Sequence, residues 1–232
     1  METQNNSFAY CVSTEVWHFL WAKLEQNKIN RILDSLPEGN KNPVFMIPGL
    51  ASDRSTLTWL SEILRRKNFI VGSPDIGPNW GTKKFEEKLV RNFGEFLDKH
   101  GSASLVGHSL GGAAAVALAR YNKEVKMVVT LAGAHGASDI QETLRTAFQL
   151  IAGKTDKEAW EDAMSRRIHT IKRKNSPVFN LIATEDPFLG PSVTTMHGIN
   201  PKHVFKINTS HSAILQSHKT AEILIRLLAM EF

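Results

Sequence analysis

From Asn42 onward, short apolar runs punctuate the chain at residues 44–47, 69–72, 104–107, 125–131, 178–183 and 204–207. Each is dense in Val, Ile, Leu or Phe and does not alternate with polar residues. A strand with one wet face alternates. A continuous run is what a parallel strand covered on both faces requires. The stretches between the runs carry helical spacing: Leu57, Leu60, Ile63 and Leu64 in 56–67, then Phe85, Leu89, Phe93, Phe96 and Leu97 in 83–100, which Gly101 stops. Residues 110–121 are Ala-rich, and Ala221, Leu224, Leu227 and Leu228 mark a closing helix over 216–232. Strand–helix alternation of this kind predicts an α/β fold: a mostly parallel sheet of about six core strands with helices on both faces.

Two regions stand outside the alternation. Residues 1–41 hold an apolar stretch with Val12, Val16, Trp17, Phe19, Leu20, Trp21 and Leu24. It is expected to form a helix docked on the main domain, residues 42–232; a helix facing lipid or a partner is the rival reading. Residues 136–175 separate the fourth and fifth runs. Ser138 with Gln141 and Thr155 with Glu158 have capping-box spacing, so a helical hairpin is expected there as a small cap. Its Phe148 and Trp160 are candidate substrate-pocket residues.

Composition narrows the function. With 42% hydrophobic and 22% charged residues the chain has the make-up of a globular domain. Its one cysteine, Cys11, cannot form an intrachain disulfide or a Cys-rich zinc site. The excess of 28 Lys+Arg over 23 Asp+Glu lies in short clusters without interleaved aromatics, which argues against a nucleic-acid partner. No apolar run is long enough to cross a bilayer and no basic leader precedes one, so a cytoplasmic location is expected. Contact with a membrane surface stays open, as does the oligomeric state.

The strongest chemical signal is Gly107-His108-Ser109-Leu110-Gly111, entered by a β-run and left by an Ala-rich helical stretch. A strand that turns directly into a helix forces its middle residue into strained geometry and needs glycine two positions to either side. Such a turn is expected to leave Ser109 exposed beside the helix N-terminus, where free amides stabilise an anion. A serine nucleophile needs a base, and His211 follows the sixth run and precedes the last helix. The base needs an acid: Glu185 and Asp186 both follow the fifth run, Asp186 being preferred because Pro187 stiffens it, with Asp75 the next choice. Oxyanion donors are expected from the amides of Leu110 and of Leu50 in Pro48-Gly49-Leu50-Ala51, with Ala51 as the fallback.

These motifs resemble the α/β-hydrolase family, most closely its small lipase-like members. The resemblance rests on Pro48-Gly49-Leu50, Gly107-His108-Ser109-Leu110-Gly111-Gly112, Asp186 and His211, and covers residues 42–232. It implies a serine hydrolase acting on a small-molecule or lipid acyl ester through an acyl-enzyme on Ser109, with Asp186 and His211 and no cofactor or metal. A thioesterase or acyltransferase would use the same triad, and a non-catalytic binding module of the same fold is the rival from another class. Pro48-Gly49 stands where many members have His-Gly, and the N-terminal part lacks the opening β-hairpin of larger members.

Overall fold

The computed structural model describes residues 8–135, 176–189, 194, 196 and 198–230. The expected cap over 136–175, with Phe148 and Trp160, lies outside the described residues. The strands are β1 (Pro43–Ile47), β2 (Ile70–Gly72), β3 (Ala103–His108), β4 (Val125–Leu131), β5 (Val178–Ala183) and β6 (Val204–Ile207). The helices are α1 (Phe8–Glu25), α2 (Asn27–Ile32), α3 (Thr58–Arg66), α4 (Lys83–His100), α5 (Leu110–Tyr121) and α6 (His218–Leu228). A 3₁₀ turn at Arg54–Leu57 leads into α3, so that helix starts later than its apolar spacing implies.

The strands form one sheet in the order β2-β1-β3-β4-β5-β6, and every pairing is parallel. Along β1, Val44 and Met46 face one layer while Phe45 and Ile47 face the other. On the first side they meet Leu57, Leu60 and Leu64 around α3 and Leu224 and Leu228 of α6. On the second they meet Phe85, Leu89 and Phe93 of α4 and Val116 of α5. The Phe45 ring lies 5.2 Å from that of Phe93 and 5.3 Å from that of Phe96. Both faces of the sheet are therefore covered, which is why its strands carry no polar alternation.

The strand order reverses around β1, which leaves a crevice between the carboxyl ends of β1 and β3. Ligands of open α/β sheets bind at such a switch point. The loop Pro48–Gly49–Leu50 leaves β1 there, and Ser109 leaves β3 beside it.

Candidate active site

Ser109 sits between β3 and α5 with φ 51° and ψ −122°, a left-handed conformation for a residue with a side chain. Such a conformation costs on the order of 1–3 kcal/mol and persists only when its surroundings impose it. Here they do. The Ser109 amide donates to the Leu131 carbonyl at 3.0 Å, and its carbonyl accepts from the Gly112 and Ala134 amides at 2.9 and 3.0 Å. The flanking glycines are sterically required: a Cβ on Gly107 would stand 2.2 Å from the Gly111 carbonyl oxygen, and one on Gly111 would stand 2.4 Å from that of Ile47. Ser109 is only 8% exposed, contrary to the exposed turn expected from the motif. The elbow is walled in by the β1 loop, since a Cβ on Gly49 would come within 2.8 Å of His108 Nδ1 and 3.0 Å of Ser109 Cβ.

Asp186 and His211 meet across the ends of β5 and β6. Asp186 Oδ2 lies 2.7 Å from His211 Nδ1, with the carboxylate side chain 2% exposed. The other carboxylate oxygen, Oδ1, accepts from the amides of Phe188 and Leu189 at 2.9 and 2.8 Å. One oxygen therefore fixes the side chain to its own turn, and the other is left for the imidazole. Two backbone bonds hold the loops together: Thr184 N–H to Ile207 O at 2.9 Å and Glu185 N–H to Thr209 O at 3.1 Å. Glu185 is exposed, and Asp75 pairs with Arg54 at 2.9 Å with 72% of its side chain exposed.

The electrostatics of His211 follow from this packing. Burial opposes the imidazolium, but the charge and hydrogen bond of Asp186, helped by the charge of Glu15, outweigh it and raise the His211 pKa above the usual 6.5. With Nδ1–H committed to Asp186, Nε2 is the ring nitrogen able to take a proton. The Ser109 hydroxyl has no hydrogen-bond partner among the described residues.

His108 is the residue before the serine in the elbow. In the structure its Nε2–H donates to the His211 carbonyl at 2.9 Å. Its ring lies 4.8 Å from that of His211. Burial first, then the neighbouring His211, depresses its pKa to about 3, so it is neutral across the physiological range. The buried Nδ1 has no hydrogen-bond partner among the described residues.

The backbone donors divide clearly. The Ala51 amide donates to Asn79 O at 2.7 Å and is not free. The Leu50 amide has no partner among the described residues. Leu110 opens α5, ahead of the intrahelical bonding pattern, so its amide is one of the helix's orphan donors. From Leu110 a cleft of about 480 Å³ runs between α4 and α5, lined largely by apolar side chains including Phe85, Leu89, Ala113 and Ala117. Among the described residues no cluster of His, Cys, Asp and Glu could hold a metal ion.

No protein-family model and no curated protein sequence matches the chain. Solved structures do match it. A monoacylglycerol lipase from Paleococcus ferrophilus superposes with a TM-score of 0.60 at 16% identity, over 84% of this chain and 96% of that one. An extracellular α/β-hydrolase from a Paenibacillus species does so at 0.54 and 13% identity, over 81% and 97%. A thioesterase domain from the curacin biosynthetic pathway does so at 0.52 and 10% identity, over 84% and 93%. The parallel sheet with its reversal at β1, the strained serine between β3 and α5, and these superpositions agree: the chain has the α/β-hydrolase fold.

Proposed function

We propose that the protein is a serine hydrolase that cleaves carboxylic esters of acyl substrates through an acyl-enzyme on Ser109. The observation that carries this reading is the 2.7 Å bond between His211 Nδ1 and Asp186 Oδ2, beside a serine held at φ 51° on a nucleophile elbow. His211 Nε2 takes the Ser109 proton as the hydroxyl oxygen attacks the ester carbonyl. Asp186 keeps Nδ1 protonated and stabilises the imidazolium that forms. The tetrahedral oxyanion accepts hydrogen bonds from the amides of Leu50 and Leu110. His211 then gives its proton to the leaving alcohol, and water repeats the sequence on the acyl-enzyme. No metal or cofactor enters the scheme.

The apolar cleft that starts at Leu110 supports an acyl substrate with appreciable hydrocarbon, because its volume of about 480 Å³ is in the usual range for small-ligand sites. Residues 136–175 follow the carboxyl end of β4, the same sheet edge, and are proposed as a cap contributing Phe148 and Trp160 to acyl selection.

The test is kcat/KM for aryl esters of increasing acyl length beside matched acyl thioesters, with Ser109→Ala as control. The reading expects ester turnover that rises with chain length and disappears in the control. Faster turnover of the thioesters would move the assignment to a thioesterase using the same residues. No serine-dependent turnover of either series would leave the non-catalytic module as the better account.

A further inference from the structure

The first helix is turned inside out. At about 100° per residue, its exposed apolar side chains sweep an arc of roughly 200°. On that arc Tyr10, Val16, Trp17, Leu20, Trp21 and Leu24 are 50%, 53%, 65%, 54%, 52% and 75% exposed. The opposite, domain-facing side is polar. Glu15 accepts there from the Ser212 amide at 3.1 and 3.3 Å, and Glu25 lies 3.4 Å from His218 Nδ1. Ala22 is the residue of α1 that is buried among those whose side chains are described. A surface helix ordinarily buries its apolar stripe and wets its polar one. Here the polar stripe does the docking.

The charge on α1 is sorted in the same sense. Both acids, Glu15 and Glu25, sit on the domain side and are bonded. The charged residue on the outward arc is Lys23, whose ammonium lies 5.0 Å from the Phe19 ring centroid. Exposed Lys28 and Arg31 follow on α2, Lys28 paired with Glu25, in a chain of net charge +5. Among the described residues no helix is long and apolar enough to cross a membrane.

We infer that α1 is a membrane-docking helix that lies in the interface of a bilayer containing anionic lipids. Its aliphatic side chains enter the acyl boundary, and Trp17 and Trp21 sit at headgroup depth, where amphipathic rings are favoured. Lys23, on the outward arc, meets the anionic headgroups. The bond from Ser212 to Glu15 ties this helix to the residue after His211, so docking brings the candidate active-site loop to the membrane surface. The inference does not depend on the hydrolase reading, because vesicle binding is measured without turnover.

The test is flotation of the full chain with phosphatidylcholine vesicles, with and without phosphatidylserine. Binding is expected to both, stronger with phosphatidylserine, and tryptophan emission is expected to be quenched by brominated acyl chains. Trp17→Gln, Trp21→Gln and Leu24→Gln together should weaken partitioning by roughly a hundredfold or more, with the thermal unfolding midpoint kept. Should that variant fail to fold, Trp17→Phe with Trp21→Phe preserves the apolar face and should remove most of the quenching while leaving binding, since Trp59, Trp80 and Trp160 remain. Wild-type protein that does not float, or floats without quenching, overturns the inference. So does a wild-type dimer that the Gln variant turns into a monomer, because a second copy would then cover the face.

Discussion

His108 donates its Nε2–H to the carbonyl oxygen of His211 at 2.9 Å, so the residue before the candidate nucleophile holds the loop of the candidate base. The bond crosses from β3 to the segment after β6 and ties the elbow that carries Ser109 to the loop that carries His211. His108→Ala removes the donor and the ring packed on His211. It should lower kcat by roughly 10²-fold with KM little changed, and lower stability by about 1–3 kcal/mol. A folded variant with unchanged kcat in ester hydrolysis would deny His108 its positioning role.

Asp186→Asn keeps an oxygen for the Phe188 and Leu189 amides but loses the charge that stabilises the imidazolium and can reverse the His211 tautomer. Loss of the acid in a Ser-His-Asp site costs about 10⁴ in kcat. Glu185→Gln, at an exposed position, should change turnover by less than about twofold. Steady-state rates of both variants decide between the two acids, and equal losses would move the acid elsewhere.

The pH dependence has a defined sign. His211 works as a base only when neutral, and its pKa is raised, so the acid limb of kcat/KM should lie above the ordinary imidazole value of 6.5. Burial lowers that pKa while Asp186 and then Glu15 raise it. Glu15→Gln removes one raising charge, so the acid limb should move to lower pH. A limb that stays put, or moves up, would remove Glu15 from the electrostatics of the site.

Steric demand separates the glycines. Gly107→Ala or Gly111→Ala drives a methyl into backbone at 2.2 or 2.4 Å and should cost roughly 3 kcal/mol or more in urea unfolding. Gly94, inside α4, has open space around a new Cβ, so Gly94→Ala should stabilise by about 0.5–1 kcal/mol. Comparable costs at all three positions would contradict the elbow packing.

Much of this fold is legible in the chain because burial on both faces writes strands as uninterrupted apolar runs. The run 178–183 is β5 to the residue, and α4 and α5 begin and end where spacing and Gly101 place them. What the chain conceals is direction. Spacing shows that Trp17, Trp21 and Leu24 share a side of a helix, but not that Glu15 and Glu25 turn that side outward. Likewise Pro187 suggests a rigid turn, but the bond between Asp186 Oδ2 and His211 Nδ1 spans 25 residues and depends on β5 lying beside β6. The contact between His108 and His211 spans 103 residues, and no local pattern announces it. Burial of Ser109 has the same origin, since the β1 loop that covers it is remote in sequence.

A serine nucleophile activated by its surroundings, as proposed for Ser109, reacts with a fluorophosphonate. Fluorophosphonate labelling followed by intact-mass and peptide mass spectrometry tests it without any assumption about the substrate. A single adduct is expected on the peptide carrying Ser109, and none on a folded Ser109→Ala variant. A folded wild-type protein that takes no label, or a Ser109→Ala variant that labels as well as the wild type, would contradict it.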